Sequence, residues 1–259
     1  MFDLSKYDIN ATELVLCNEN ITGILDLSQF TKLIELDCKK NKITHLILPP
    51  SLIYLDCSCN QITHINLPPL LIKLWCYNNQ ITHFNLPPSL IELDCDNNQI
   101  TELILTNSLT KLNCSYNQIT ELILPNLLIE LDCSDNQITE LILPNSLNAL
   151  WCYCNKITHL NLPPSLTELY CDNNQITELI LPPLLIELDC DKIYDFKCTI
   201  ENINTYNKLK LNLSNKSSKI ITQFFKKIIY FKKVKQYYHP NNIALLCDDN
   251  GLCEGLLKY

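Results

Sequence analysis

One nineteen-residue phrase runs nine times along this chain with no residue inserted between copies. Each copy opens on a leucine: Leu33, Leu52, Leu71, Leu90, Leu109, Leu128, Leu147, Leu166 and Leu185. A second leucine follows three residues on, from Leu36 through Leu112 to Leu188, and a cysteine two further on. Those cysteines are Cys38, Cys57, Cys76, Cys95, Cys114, Cys133, Cys152, Cys171 and Cys190. An asparagine then recurs from Asn41 to Asn174, and an isoleucine from Ile43 to Ile176. A strict period of this kind predicts a solenoid, because one unit cannot bury its apolar side alone and each coil must lean on the next.

Each coil has the same physical logic. The stretch around x-Leu-x-Cys-x alternates inward and outward, the period of a strand. Stacked coils then build one parallel sheet with strands about 4.8 Å apart, and ten strands are expected between Leu14 and Leu188. The leucines and the cysteine point inward, since an unbridged cysteine behaves as a small hydrophobe. The asparagine turns the chain, and its amide is expected to serve backbone groups of adjacent coils. The second half, as in Leu46-Ile-Leu48-Pro49-Pro50, is too short and proline-rich for a helix. An extended, polyproline-like return path on the outer side is predicted instead.

The phrase L-x-x-L-x-C-x-x-N-x-I resembles the leucine-rich repeat pattern, with cysteine in the place of the third leucine. The resemblance covers roughly residues 11–193. The proline-bearing second half, Ile157-Thr-His-Leu-Asn-Leu-Pro-Pro-Ser165, is similar to short repeats of some bacterial effectors. With the cysteine ladder, the pattern is also similar to repeat proteins encoded by giant DNA viruses of amoebae. The fold expected is therefore a leucine-rich-repeat solenoid: a parallel β-sheet on one face, extended segments on the other, and a small helical C-terminal cap. Residues 1–32 are expected to form an N-terminal cap and irregular first repeat, 33–193 the nine repeats, and 194–259 the cap. In the first coil the step from Leu14 to Leu36 is 22 residues, and Cys17 stands one position out of register. Phe2, Leu4 and Tyr7 are expected to cover its outer edge.

All 20 cationic side chains are lysine, which speaks of codon usage in an AT-rich genome and not of chemistry. The opening Met1-Phe-Asp-Leu-Ser-Lys-Tyr7 has no apolar core of a secretory signal, and no apolar run reaches membrane-spanning length. With nine of its fifteen cysteines at one fixed spacing, this predicts reduced thiols in a cytosolic core and not a secreted disulfide scaffold. The resemblance to viral repeat proteins implies a place in an infected host cell or in association with a virus particle.

Charge divides the chain. Residues 1–190 hold 8 lysines against 22 carboxylates, and residues 191–259 hold 12 against 6. Within the tail, Ile220, Phe224, Ile228, Phe231 and Val234 recur at helical spacing among lysines, which predicts an amphipathic basic helix over 220–238. Its expected task is to cover the last coil, as a solenoid end requires. Cys247-Asp-Asp249 fits the Cys-x-Asp motif of the ubiquitin-ligase domain in effectors with similar repeats, but the tail is too short for that domain. No catalytic residues and no cofactor are expected. His45, His64, His83 and His159 share one repeat position with Glu102, Glu121, Glu140 and Glu178, which marks it as solvated and not as a metal site.

The outward face of the predicted sheet remains. Before each cysteine stand Asp37, Asp56, Trp75, Asp94, Asn113, Asp132, Trp151, Tyr170 and Asp189. After the cysteines stand residues that include Tyr77, Asp96 and Tyr153. Both tryptophans of the chain thus lie on one face, each beside a tyrosine, in an acidic field. Tryptophan and tyrosine dominate interface energetics. The expected function is non-enzymatic binding of a basic protein partner through Trp75, Tyr77, Asp94, Asp96, Asp132, Trp151, Tyr153 and Tyr170. No nucleic acid and no membrane span are expected, and the sequence leaves the oligomeric state open. The other reading is a structural or virion-associated repeat protein with no specific partner.

Overall fold

A computed structural model describes residues 2–190 and the backbone of two short strands further on, Asp195–Phe196 and Lys210–Leu211. The chain forms a parallel β-solenoid of about nine turns, with no helix among the described residues. Among the described residues fifteen short strands follow one another. They are β1 (Glu13–Val15), β2 (Thr22–Asp26), β3 (Glu35–Asp37), β4 (Lys42–Ile47), β5 (Tyr54–Asp56), β6 (Lys73–Trp75), β7 (Glu92–Asp94) and β8 (Lys111–Asn113). Then come β9 (Glu130–Asp132), β10 (Ala149–Trp151), β11 (Glu168–Tyr170), β12 (Glu178–Leu179), β13 (Glu187–Asp189), β14 (Asp195–Phe196) and β15 (Lys210–Leu211).

The main sheet has eleven strands in the order β1-β3-β5-β6-β7-β8-β9-β10-β11-β13-β15. Register follows the repeat: Leu14 pairs with Leu36, Leu36 with Leu55, Leu55 with Leu74, and so on to Leu188. Strand spacing of about 4.8 Å makes the sheet roughly 48 Å long. Beyond the strands, the inter-coil ladder continues. Cys57 N–H donates to the Trp75 carbonyl at 2.8 Å, and Cys59 N–H to the Tyr77 carbonyl at 2.8 Å.

The core is a set of columns. The in-register leucines, isoleucines and all nine ladder cysteines are buried. In the first coil the ladder position belongs to Leu16, which is fully buried, while Cys17 is only partly covered. No described cysteine is bridged. Burial, before any neighbouring charge, pushes the thiols of Cys38, Cys57, Cys76, Cys95, Cys114, Cys133 and Cys152 far up, so they stay protonated.

Asparagine links the coils. Asn117 donates its amide to the Cys114 carbonyl of its own coil at 3.1 Å and to the Cys95 carbonyl of the preceding coil at 3.0 Å. Its carbonyl oxygen accepts from Ile100 N–H of that preceding coil at 2.9 Å. The same triple bond set recurs from Asn41 to Asn174. A serine column adds a second seam, as where Ser108 Oγ donates to the Leu90 carbonyl at 2.7 Å. Just before each asparagine the backbone turns left-handed: φ lies between 49° and 56° at Lys40, Cys59, Asn78, Asn97, Tyr116, Asp135, Cys154 and Asn173.

Two features depart from the sequence-based expectation. The return segments are extended, but near the two ends they are also paired, β2 with β4 and β12 with β14. The main sheet continues past Cys190, where the repeat pattern stops, because β15 pairs with β13 in register. At the other end Phe2, Leu4 and Tyr7 are half-buried, with the Phe2 and Tyr7 rings 6.4 Å apart and the Lys6 ammonium 5.1 Å from both. The expected helical cap, the basic helix over 220–238 and Cys247 lie outside the described residues.

Candidate protein-binding face of the sheet

Alternation along each strand decides what the sheet presents. With Leu74 buried, Lys73 and Trp75 face outward; with Leu150 buried, Trp151 does. Because the register never slips, the residues before the cysteines form one row across the sheet. In order along the middle it reads Asp56, Trp75, Asp94, Asn113, Asp132, Trp151 and Tyr170.

The two aromatic stations differ. Trp75 is 40% exposed, and its indole N–H donates to Glu92 at 3.2 Å. Glu92 also holds Lys73 at 3.0 Å. Trp75 shares a hollow of about 150 Å³ with Val15 and Tyr54, fringed by Lys39. Lys39 bridges Asp37 at 2.9 Å and Asp56 at 3.1 Å, and the Asp37 hydrogen bond is the first cause of its raised pKa. Trp151 is half-buried and stacks on Tyr170 with centroids 6.0 Å apart and planes 21° from parallel. The Tyr170 hydroxyl donates to Glu187, which pushes its pKa up to about 12. Tyr77 and Tyr153 are half-buried on the neighbouring row, and burial raises Tyr153 to about 12.

Between the stations lies a carboxylate field with no cation in the row. Burial, reinforced by Asp96, Asp132 and Asp56, raises Asp94 to about 6. Burial also raises Asp96 and Asp132. Asp96 accepts a hydrogen bond from Ser115 Oγ at 3.0 Å, and Asp94 accepts from the Asp96 N–H at 3.2 Å. Such a field costs free energy that a cation placed against it would recover.

The structure therefore joins Trp151 to Tyr170 and gathers Asp94, Asp96 and Asp132, while it sets Trp75 with Tyr54 and Val15. Those last two were not singled out in the sequence: Val15 shares the column of Asp37, Asp56 and Trp75 but belongs to the irregular first coil, and Tyr54 stands in the column of Glu35 and Lys73. The signal was their register: Tyr54 precedes Leu55 on the strand beside Trp75. Tyr116 was passed over as well. It is 54% exposed at the left-handed turn, and the Asp135 carboxylate raises its pKa. His64 and His83 meet edge to face at 5.1 Å on the return side, away from this row.

Residues 108–128 and 165–187 match the family model described as Leucine Rich Repeat. No curated protein sequence matches the chain. Among solved structures, the chain is similar to the functional domain of InlJ from Listeria monocytogenes, which includes a cysteine ladder. Identity is 31% and the TM-score 0.73, over 82% of this chain and 51% of that one. It is similar to YopM, a leucine-rich effector protein from Yersinia pestis, at 30% identity and TM-score 0.57, over 67% of this chain and 52% of that one. A leucine-rich repeat protein of Leptospira interrogans shares the fold at 23% identity and TM-score 0.50, over 76% and 66%. The chain spans about half the length of the InlJ and YopM structures it matches.

Proposed function

We infer that this leucine-rich repeat protein, from a class that generally mediates protein–protein interaction, binds a basic protein partner through the exposed face of its eleven-stranded sheet. One observation carries the reading: two aromatic stations four coils apart enclose a carboxylate field that has no cation in its row. Four strand spacings put the stations about 19 Å apart, a span suited to a protein interface and not to a small ligand. Binding, not catalysis, is the proposed activity. The arginine-free, isoleucine- and asparagine-rich composition supports a giant-virus source, with action inside the infected cell, where buried thiols stay reduced.

The test is affinity capture from host-cell lysate, then titration of the captured partner. Trp75→Ala and Trp151→Ala should each weaken binding by about 2 kcal/mol without unfolding the coils. Asn161→Ala, on the return side, should be silent. A cation seated near Asp94 favours its ionised form, so binding releases a proton and the complex tightens as pH rises from about 5 to 7. Normal binding by the double tryptophan variant overturns the proposal. Exclusive co-purification with particles favours a structural role.

A further inference from the structure

The return face carries a second feature that the sheet-face reading does not use. Three consecutive coils repeat Thr-Glu-Leu-Ile-Leu at residues 101–105, 120–124 and 139–143. In each, the central leucine is buried and the residues on both sides point to solvent. Ile104, Ile123 and Ile142 are 75%, 87% and 81% exposed. Together they form an apolar stripe on the order of 400 Å², a size at which exposed patches on monomers are commonly functional. Solubility alone does not call for isoleucine here, because Asn66, Asn85 and Asn161 fill the same position in other coils. Beside the stripe runs an exposed row of Glu102, Glu121 and Glu140.

We propose that this stripe docks an amphipathic helix of a partner protein whose apolar side is flanked by lysine or arginine. Coil spacing of about 4.8 Å puts Ile104 and Ile142 about 10 Å apart. Helix positions seven residues apart rise by about 10.5 Å, so a helix along the stack meets the stripe nearly in step. Its flanking cations then face the glutamate row. A hollow between the 140–143 and 158–161 segments, lined by Ile142, Leu143 and His159, continues the stripe toward the next coil. A second copy of this chain is the poorer occupant. Packed stripe against stripe, its return segments 101–108, 120–127 and 139–146 hold no lysine, so they bring no cation to the carboxylates.

The probes are two fluorescein-labelled 18-residue amphipathic peptides, one of leucine and lysine and one of leucine and glutamate, titrated into the full chain by fluorescence anisotropy. The leucine–lysine peptide should bind and the leucine–glutamate peptide should not. The triple variant Ile104→Asn, Ile123→Asn, Ile142→Asn uses the residue other coils already carry, so it should keep its melting curve. It should bind the first peptide at least about tenfold more weakly. Glu102→Gln, Glu121→Gln, Glu140→Gln should remove the preference between peptides. The Trp75→Ala, Trp151→Ala variant should bind as the native chain does, which separates this surface from the sheet face. Unchanged affinity in the triple asparagine variant, or equal binding of both peptides by the native chain, overturns the proposal. So does a concentration-dependent dimer that the triple asparagine variant abolishes, since the occupant is then a second copy.

Discussion

At the scale of the residue, the most demanding position is the one before each asparagine. Eight consecutive coils hold it left-handed, a conformation that costs a residue with a Cβ roughly 1–2 kcal/mol unless, like asparagine, it settles there easily. Asn78, Asn97 and Asn173 suit it; Lys40, Cys59, Tyr116 and Cys154 do not. Cys59→Asn should therefore stabilise the chain by about 0.5–1 kcal/mol, and Cys59→Val should cost at least about 1 kcal/mol. Urea denaturation of the two variants checks both signs. This turn was not legible in the sequence because its occupants vary so widely. Leucine and cysteine positions were legible because each tolerates one size and polarity.

At the scale of the element, strand register was legible for the same reason, since a slip by one residue would turn every leucine outward. The pairing of β2 with β4 was not, because its pattern reads like that of the unpaired return segments in the middle coils. The hollow beside Trp75 was also hidden, as it depends on which residues of four neighbouring strands stand diagonal to one another. The asparagine column was expected as a turn residue serving the backbone, and it holds pairs of coils by both ends of its amide. Asn117→Ala leaves Ile100 N–H without its buried acceptor and takes a donor from the Cys95 and Cys114 carbonyls. Each buried group left unsatisfied costs about 1–3 kcal/mol, so the variant should lose at least about 3 kcal/mol. Gln118→Ala next to it, with an exposed side chain, should lose almost none. Denaturant midpoints of the two variants decide the matter.

At the scale of the whole molecule, an unbroken register makes distance along the sheet come in steps of one coil. Removing residues 109–127 deletes one complete repeat and rejoins identical positions, so the chain should still fold, less stable by one coil-to-coil interface. It would also bring Trp75 and Trp151 from about 19 Å to about 14 Å apart without touching either. The expected outcome is a folded protein that binds the captured partner far more weakly, by circular dichroism and titration. A nine-residue deletion in the same coil, which breaks the register, should not fold.

Between coils, each asparagine reaches only backward, to the coil made before it. A coil leaving the ribosome therefore has its buried Ile N–H sealed only when the following asparagine emerges, seventeen residues after that isoleucine. Growth toward the C-terminus closes one coil after another, and the latest coil is always the unsealed one. Loss of the coil that carries Asn174 reopens the Ile157 N–H of its predecessor, whereas loss of the first coil takes from Asn41 the Ile21 N–H and the Leu16 carbonyl. Each coil is thus sealed by the next one to be translated.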